Sequence, residues 1–355
     1  MVNVGIVGVG LVGSELIAQL VAHGASRNLR IVALSSSKKM HLSNEQYTGI
    51  TSDWRQAVDS GEPSDLGRLA SYLAAGKDHG VVIDCTSSDS VAELYPSWLK
   101  QGLSIVTPNK KGFSGDLNLY KSIVELSRSA NGPFAYHEST VGAGLPVLAT
   151  LTDLVKTGDK VTKIEGIFSG TLSYIFNNFS SLSSSEPKNF SEIVSVAKEL
   201  GYTEPDPRDD LNGMDVARKV TICARAIGLP ATLETLAVEN IVPSALQTVA
   251  SASEFLDRLP EFDAHFAELN GEALKEKQVL RYVGVVDPQG GSGVKLVKYP
   301  ASHPFASLQG SDNIIKFTTE RFPNGLIIQG AGAGAAVTAF GIFSDLIKVQ
   351  ERVHV

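Results

Sequence analysis

Across the first 140 positions, apolar residues fall in short, nearly continuous runs separated by segments with helical spacing. Residues 2–7, 29–34, 81–85 and 103–107 read as strands, and residues 14–23, 89–101 and 116–128 as helices between them. Strands apolar on both faces, alternating with amphipathic helices, predict a parallel sheet covered on both sides, a doubly wound α/β domain.

The pattern changes after Phe134. A helix is expected over 147–156, a strand over 161–168, and helices over 172–179 and 191–200 with a serine-rich loop, 180–187, between them. A loop dense in Pro and Asp, 202–212, leads into a helix over 213–227, for which Asn212 is a candidate cap. Another helix is expected over 254–275. Residues 279–287 and 294–299 read as a hairpin around a glycine-rich turn, followed by strands at 313–319 and 326–329 and a closing helix at 335–352. The division is an α/β domain of residues 1–150, completed by residues 331–355, and an α+β domain of residues 151–330.

The 355 residues are enough for two cores, and 43% hydrophobic with 19% charged residues describes a globular chain. A net charge of −7, without any Lys/Arg run, speaks against nucleic acid as a partner. The two cysteines, Cys85 and Cys223, lie in apolar stretches and read as buried free thiols, so a reducing cytoplasmic setting is expected. The apolar N-terminus resembles a leader only superficially. It lacks a basic lead-in, Glu15 interrupts it, and its glycines are ordered, so it belongs to the fold and not to a membrane.

Those glycines stand in Gly8-Val9-Gly10-Leu11-Val12-Gly13, between the first strand and the first helix. The first allows a tight turn, the second lets backbone approach a pyrophosphate, and the third lets helix and strand pack closely. The uncapped helix end then offers N–H groups to the anion. A Rossmann-type dinucleotide site is expected. The carboxylate that would bind the ribose hydroxyls at the end of the second strand is missing; Ser35-Ser36-Ser37-Lys38-Lys39 stands there. Hydroxyls and ammonium groups suit a 2′-phosphate, so NADP is expected at least as readily as NAD, unless Lys38 and Lys39 are only solvated loop charges. Thr86 and Lys110 follow the third and fourth strands, where open α/β sheets bind ligands.

The second constellation is residues 201–219, in which Asp215 and Lys219 share one helical face that continues through Ile222 and Ala226. An ion pair heading an apolar stripe lines a cleft, and a desolvated lysine beside a carboxylate can give a proton to a carbonyl oxygen. The competing interpretation is an exposed helix salt bridge. Asp206, Asp209 and Asp210 have no nearby histidine, which does not favour a catalytic zinc site.

These segments, with residues 107–111, 136–146, 166–177 and 330–338, resemble homoserine dehydrogenase, most closely its fungal monofunctional form. The resemblance implies an NAD(P)-dependent oxidoreductase interconverting L-homoserine and L-aspartate 4-semialdehyde in threonine and methionine biosynthesis. It implies that Lys219 is the general acid, assisted by Lys110, with Asp210 supporting the lysine. Glu204 and Asp215 would hold the substrate, with Thr171 and Tyr202 nearby. Thr86 and Gly332 would contact the cofactor. A monovalent cation, sodium in the family, would sit on Glu138 and the carbonyls of Val141, Ala143 and Leu145, and the α+β domain would form a homodimer. With no kinase segment before the glycine motif and about twenty residues after 330–334, threonine feedback through an added domain is not expected.

Two other interpretations stand beside this one. An aspartate-semialdehyde dehydrogenase would need a nucleophilic cysteine, and a nucleotide-sensing regulator would have no use for Glu204, Asp215 and Lys219.

Overall fold

A computed structural model describes residues 1–128, 132–182 and 188–353, so residues 183–187 of the serine-rich stretch lie outside the described residues. The chain divides into two compact units, Met1–Leu148 with Ala333–Val355, and Ala149–Gly332.

In the first unit, Val2–Val7 (β1), Leu29–Ser35 (β2), Lys39–Leu42 (β3), Glu62–Pro63 (β4), His79–Asp84 (β5), Ser104–Val106 (β6) and Ala135–Tyr136 (β7) form one sheet. Its order is β4-β3-β2-β1-β5-β6-β7. The five strands from β2 to β7 run parallel, and β1 is buried along its whole length because helices cover both faces. The far edge departs from the all-parallel expectation: β3 and β4 add antiparallel, where the chain doubles back through a turn closed by the Ser36 N–H donating to the Lys39 carbonyl. Only Met40 anchors β3 in the core, too little apolar signal to mark a strand in sequence.

The helix expected over 89–101 is two, Asp89–Ala92 and Tyr95–Lys100. Ser88 caps the first, and Pro96, which has no N–H to donate, starts the second. The closing helix, Ala335–Val353, packs on the helix Leu11–His23. Its buried residues Ala339, Ile342, Leu346 and Val349 recur at the three- and four-residue spacing of a helical face.

The second unit carries Val161–Ile167 (β8), Ala237–Val238 (β9), Gln278–Val286 (β10), Gly293–Pro300 (β11), Asp312–Thr319 (β12) and Leu326–Ala331 (β13), in the order β13-β12-β8-β10-β11-β9. The pairings are antiparallel apart from the short β9. Helices Gly170–Phe179, Met214–Ala226 and Asp263–Lys275 pack against β10. The helix Met214–Ala226 comes so close that a Cβ on Gly284 would lie 2.4 Å from Val220. The helix expected over 254–275 is interrupted: Leu259–Phe262, containing Pro260, is a 3-10 turn between Ala252–Arg258 and Asp263–Lys275. Among the described residues, no helix is long and apolar enough to cross a membrane.

Candidate active site

The turn after β1 is built by what its glycines lack. Gly8 has φ +91°, and a Cβ there would meet Thr86 Cγ2 at 2.8 Å; one on Gly13 would lie 2.0 Å from the Gly8 carbonyl oxygen. Nothing lies within 4 Å of a Cβ on Gly10, so backbone is presented to open space there. Among the described residues no side chain caps the helix that starts at Leu11, which leaves its first N–H groups and the positive end of its dipole for an anion. Val9 and Val12 pack on the core while the Leu11 side chain is exposed.

At the end of β2, Ser36 Oγ accepts the N–H groups of Lys38 and Lys39. Lys39 Nζ donates to the Gly61 carbonyl at 2.9 Å; both lysine side chains are exposed.

Thr86 and Lys110 sit on loops tied together by a group that sequence reasoning missed, the fully buried carboxylate of Asp84 at the end of β5. It accepts the Thr86 N–H at 2.8 Å, Asn109 Nδ2 at 2.9 Å and the Tyr95 hydroxyl. Thr107 Oγ1 donates to the Asp84 carbonyl and accepts the Asn109 N–H. Both loops therefore hang on one buried, fully bonded carboxyl group. Lys110 is half-buried and starts the short helix Lys111–Ser114. Cys85, the next residue after Asp84, is no activated nucleophile: burial first, and the Asp84 charge second, push its thiol well above the ordinary range. That removes the support for the thiol-dependent alternative.

Glu138 is buried, its N–H donating to Asp345 Oδ2 at 2.8 Å and its Oε1 accepting the Leu148 N–H at 2.6 Å. Lys348 pairs with Asp345 at 2.8 Å and lies 3.9 Å from Glu138. Gly142 and the non-glycine Ala143 are consecutive left-handed residues, bending the stretch from Val141 to Leu145 into a tight turn. A buried carboxylate beside a carbonyl-rich turn has the chemistry that a hard monovalent cation needs.

In the second unit, Lys219 is buried, with 8% exposure, and is not a surface charge. Its ammonium donates to Asp215 Oδ2 and to the Phe168 carbonyl, each at 2.7 Å, while the Asp215 side chain is 48% exposed. A buried ammonium held by a half-exposed carboxylate is unlike an exposed helix salt bridge. Asn212 Oδ1 accepts the Met214 N–H and so caps the Lys219 helix from one residue further out than a usual cap, with Gly213 in the left-handed region between them.

Asp210 gathers a second cluster. Its Oδ1 lies 2.9 Å from Thr171 Oγ1, which is also 2.6 Å from the Tyr202 carbonyl, and its Oδ2 accepts the Glu204 N–H at 2.8 Å. Burial, with smaller contributions from the Glu204 and Asp215 charges, pushes its carboxyl up to about 6 against the hydrogen bonds that favour ionisation. Lys219 is not among its partners, so Asp210 bears on the lysine only at a distance. Tyr202 stacks on Tyr174 with ring centroids 4.6 Å apart, and Glu204 is exposed. Asp206 is bound to Arg208 at 2.5 Å, as a loop staple.

The sequence also gave no hint of Phe168 and Asn313. The Phe168 contribution is a backbone carbonyl, and Asn313 Nδ2 donates to that same oxygen at 3.1 Å. The Asn313 Oδ1 is buried without a partner among the described residues, which typically costs about 1–3 kcal/mol. Gly332 follows β13, and a Cβ on it would lie 2.0 Å from Asn313 Nδ2.

The family described as homoserine dehydrogenase matches residues 146–347, and the family of its NAD binding domain matches residues 8–137. Homoserine dehydrogenase of Saccharomyces cerevisiae is 46% identical, with 99% of each chain covered. A Candida auris structure of unknown function superposes with a TM-score of 0.92 at 48% identity, covering 99% of this chain and 98% of that one. A hyperthermophilic archaeal homoserine dehydrogenase in complex with NADPH superposes with a TM-score of 0.72 at 23% identity, covering 98% of both, a likeness of fold. The chain belongs to the homoserine dehydrogenase family, NAD(P)-dependent oxidoreductases that interconvert L-homoserine and L-aspartate 4-semialdehyde.

Proposed function

We propose that Lys219 protonates the aldehyde oxygen of L-aspartate 4-semialdehyde as hydride reaches the carbon, and accepts the proton from the homoserine hydroxyl in reverse. One observation carries this assignment: a buried ammonium has two of its three N–H donors fixed among the described residues, on Asp215 and Phe168, which keeps a third for a substrate oxygen. Negative charge building on that oxygen is stabilised best where water is excluded.

Asp215 and Glu204 bind the homoserine amine and hydroxyl. Thr171 and Tyr202 shape the same pocket, and Asp210 sets its charge. Three carboxyl groups within electrostatic reach of one another favour a substrate ammonium. Gly8, Val9, Gly10, Leu11, Val12 and Gly13 hold the pyrophosphate, Thr86 and Gly332 touch the dinucleotide, and Lys110 assists beside the nicotinamide. The bound cofactor supplies or takes the hydride.

The serine-lysine turn after β2 favours NADP, with Lys38 the better candidate for the 2′-phosphate because Lys39 is committed to Gly61. Glu138 with the carbonyls of Val141, Ala143 and Leu145 would hold a sodium ion. A second copy of the chain would cover Ile327 and Phe322, apolar side chains each 41% exposed at and before β13.

Steady-state kinetics of Lys219→Met in both directions test the assignment. The apolar stem is kept and the acid removed, so turnover should fall on the order of 10²–10⁴-fold. Wild-type turnover would make the pair an ordinary helix salt bridge and Lys110 the leading proton donor.

A further inference from the structure

The Phe168 carbonyl is a shared acceptor, with Lys219 Nζ on it at 2.7 Å and Asn313 Nδ2 at 3.1 Å. Asn313 lies in β12, opposite Gly330 of β13, and is fully buried. Its amide can face only one way. Reversed, it would bring Oδ1 within 3.1 Å of the Phe168 carbonyl, oxygen against oxygen. In the orientation seen, Oδ1 has no partner among the described residues. A leucine has the same branching at Cγ and would leave no orphan acceptor, so burial alone gives no reason for an asparagine here.

Gly332 completes the arrangement. Its missing side chain clears the space of the Asn313 amide, since an added Cβ would sit 2.0 Å from Nδ2 and 2.2 Å from Cγ. Any residue larger than glycine must displace the amide.

We propose that Asn313, with Gly332 clearing room for it, is a positioning residue for Lys219: it occupies one lone pair of the Phe168 carbonyl and fixes the direction in which that carbonyl holds the ammonium. The inference rests on Lys219 being the proton donor. Asn313 touches no reacting atom. It acts through one peptide group, and a misplacement of the ammonium by a fraction of an ångström is what its loss would cause.

The test is a cycle of Asn313→Leu, Gly332→Ala and the double variant, with Lys219→Met alongside. Asn313→Leu should lower kcat about tenfold to a hundredfold while Tm stays the same or rises, a combination that a purely structural residue does not produce. In Asn313→Leu, KM for homoserine and NADPH affinity should stay within about twofold, and at saturating NADPH the double variant should be no slower than the worse single one. If Asn313→Leu cannot be purified folded, kcat of Gly332→Ala reads the same displacement, at saturating NADPH because the glycine also lies against the dinucleotide.

Full turnover in Asn313→Leu, or losses that multiply in the double variant, would overturn the proposal. NADPH binding weakened tenfold or more by Asn313→Leu would overturn it too, by assigning the asparagine to the cofactor. Failure is separable from that of the Lys219 assignment. An inactive Lys219→Met beside an unimpaired Asn313→Leu removes only the positioning role, whereas an active Lys219→Met removes its foundation.

Discussion

The glycine turn after β1 and the lysine site on Met214–Ala226 prepare for charge by different means. In the turn, six consecutive residues use backbone alone, and the decisive contacts are those that a side chain would forbid, 2.0 Å from a Cβ on Gly13 to the Gly8 carbonyl. At Lys219, polar side chains gathered from distant positions do the work; the lysine reaches a carbonyl 51 residues away, and Thr171 meets Asp210 across 39. A backbone site should tolerate changes of charge around it but no added carbon. A side-chain site should lose most when a charge or a hydrogen-bonding group is removed.

The largest effect on this contrast is expected from Gly13→Val, which drives side-chain carbon into the Gly8 carbonyl. NADP affinity should fall on the order of 10²-fold or more while the homoserine site is unchanged, as read by direct titration. An unaffected affinity would mean that the turn does not hold the dinucleotide.

Asp215→Asn keeps the shape and removes a charge at the other site. Losing one charge-assisted hydrogen bond should cost about 10–100-fold in kcat/KM for homoserine, with KM rising and NADP binding unaltered. A loss confined to NADP affinity would contradict the division of labour.

A smaller, pH-dependent effect belongs to Asp210. Its carboxyl, raised to about 6 mainly by burial, is neutral below that value and ionised above it. Ionisation adds to the field of Glu204 and Asp215, so KM for homoserine should fall several-fold as pH rises through about 6. Asp210→Asn should flatten that limb, and a limb that survives the substitution belongs to another group. The smallest effect is expected after β2: Lys38→Glu should reduce the preference for NADP over NAD more than Lys39→Glu does. Equal effects would mean that the Gly61 contact of Lys39 is not what decides.

How far each region was legible from sequence follows from the same contrast. A contiguous backbone motif carries its whole meaning in order and spacing: β1 stands as the residues predict, and the following helix ends at His23 as expected but starts at Leu11, three residues early, inside the motif. The hairpin β10–β11 was equally readable, since alternation and a Gly-rich turn are local. Helix breaks were not, because Pro96 and Pro260 sit in otherwise helical patterns and a proline can begin a turn as well as end one. At the second site, i to i+4 spacing paired Asp215 with Lys219, yet nothing in the sequence marks the Phe168 carbonyl or the Asn313 amide as its counterparts. Those depend on which strands lie side by side.

Binding of NADPH to Lys219→Met, followed by titration, separates the two regions most directly. If the lysine serves the reacting oxygen and not the nucleotide, the inactive variant should bind NADPH within about twofold of the unaltered protein. A tenfold or greater weakening would place Lys219 among the groups that bind the cofactor and contradict the assignment of proton transfer to it as a separate duty.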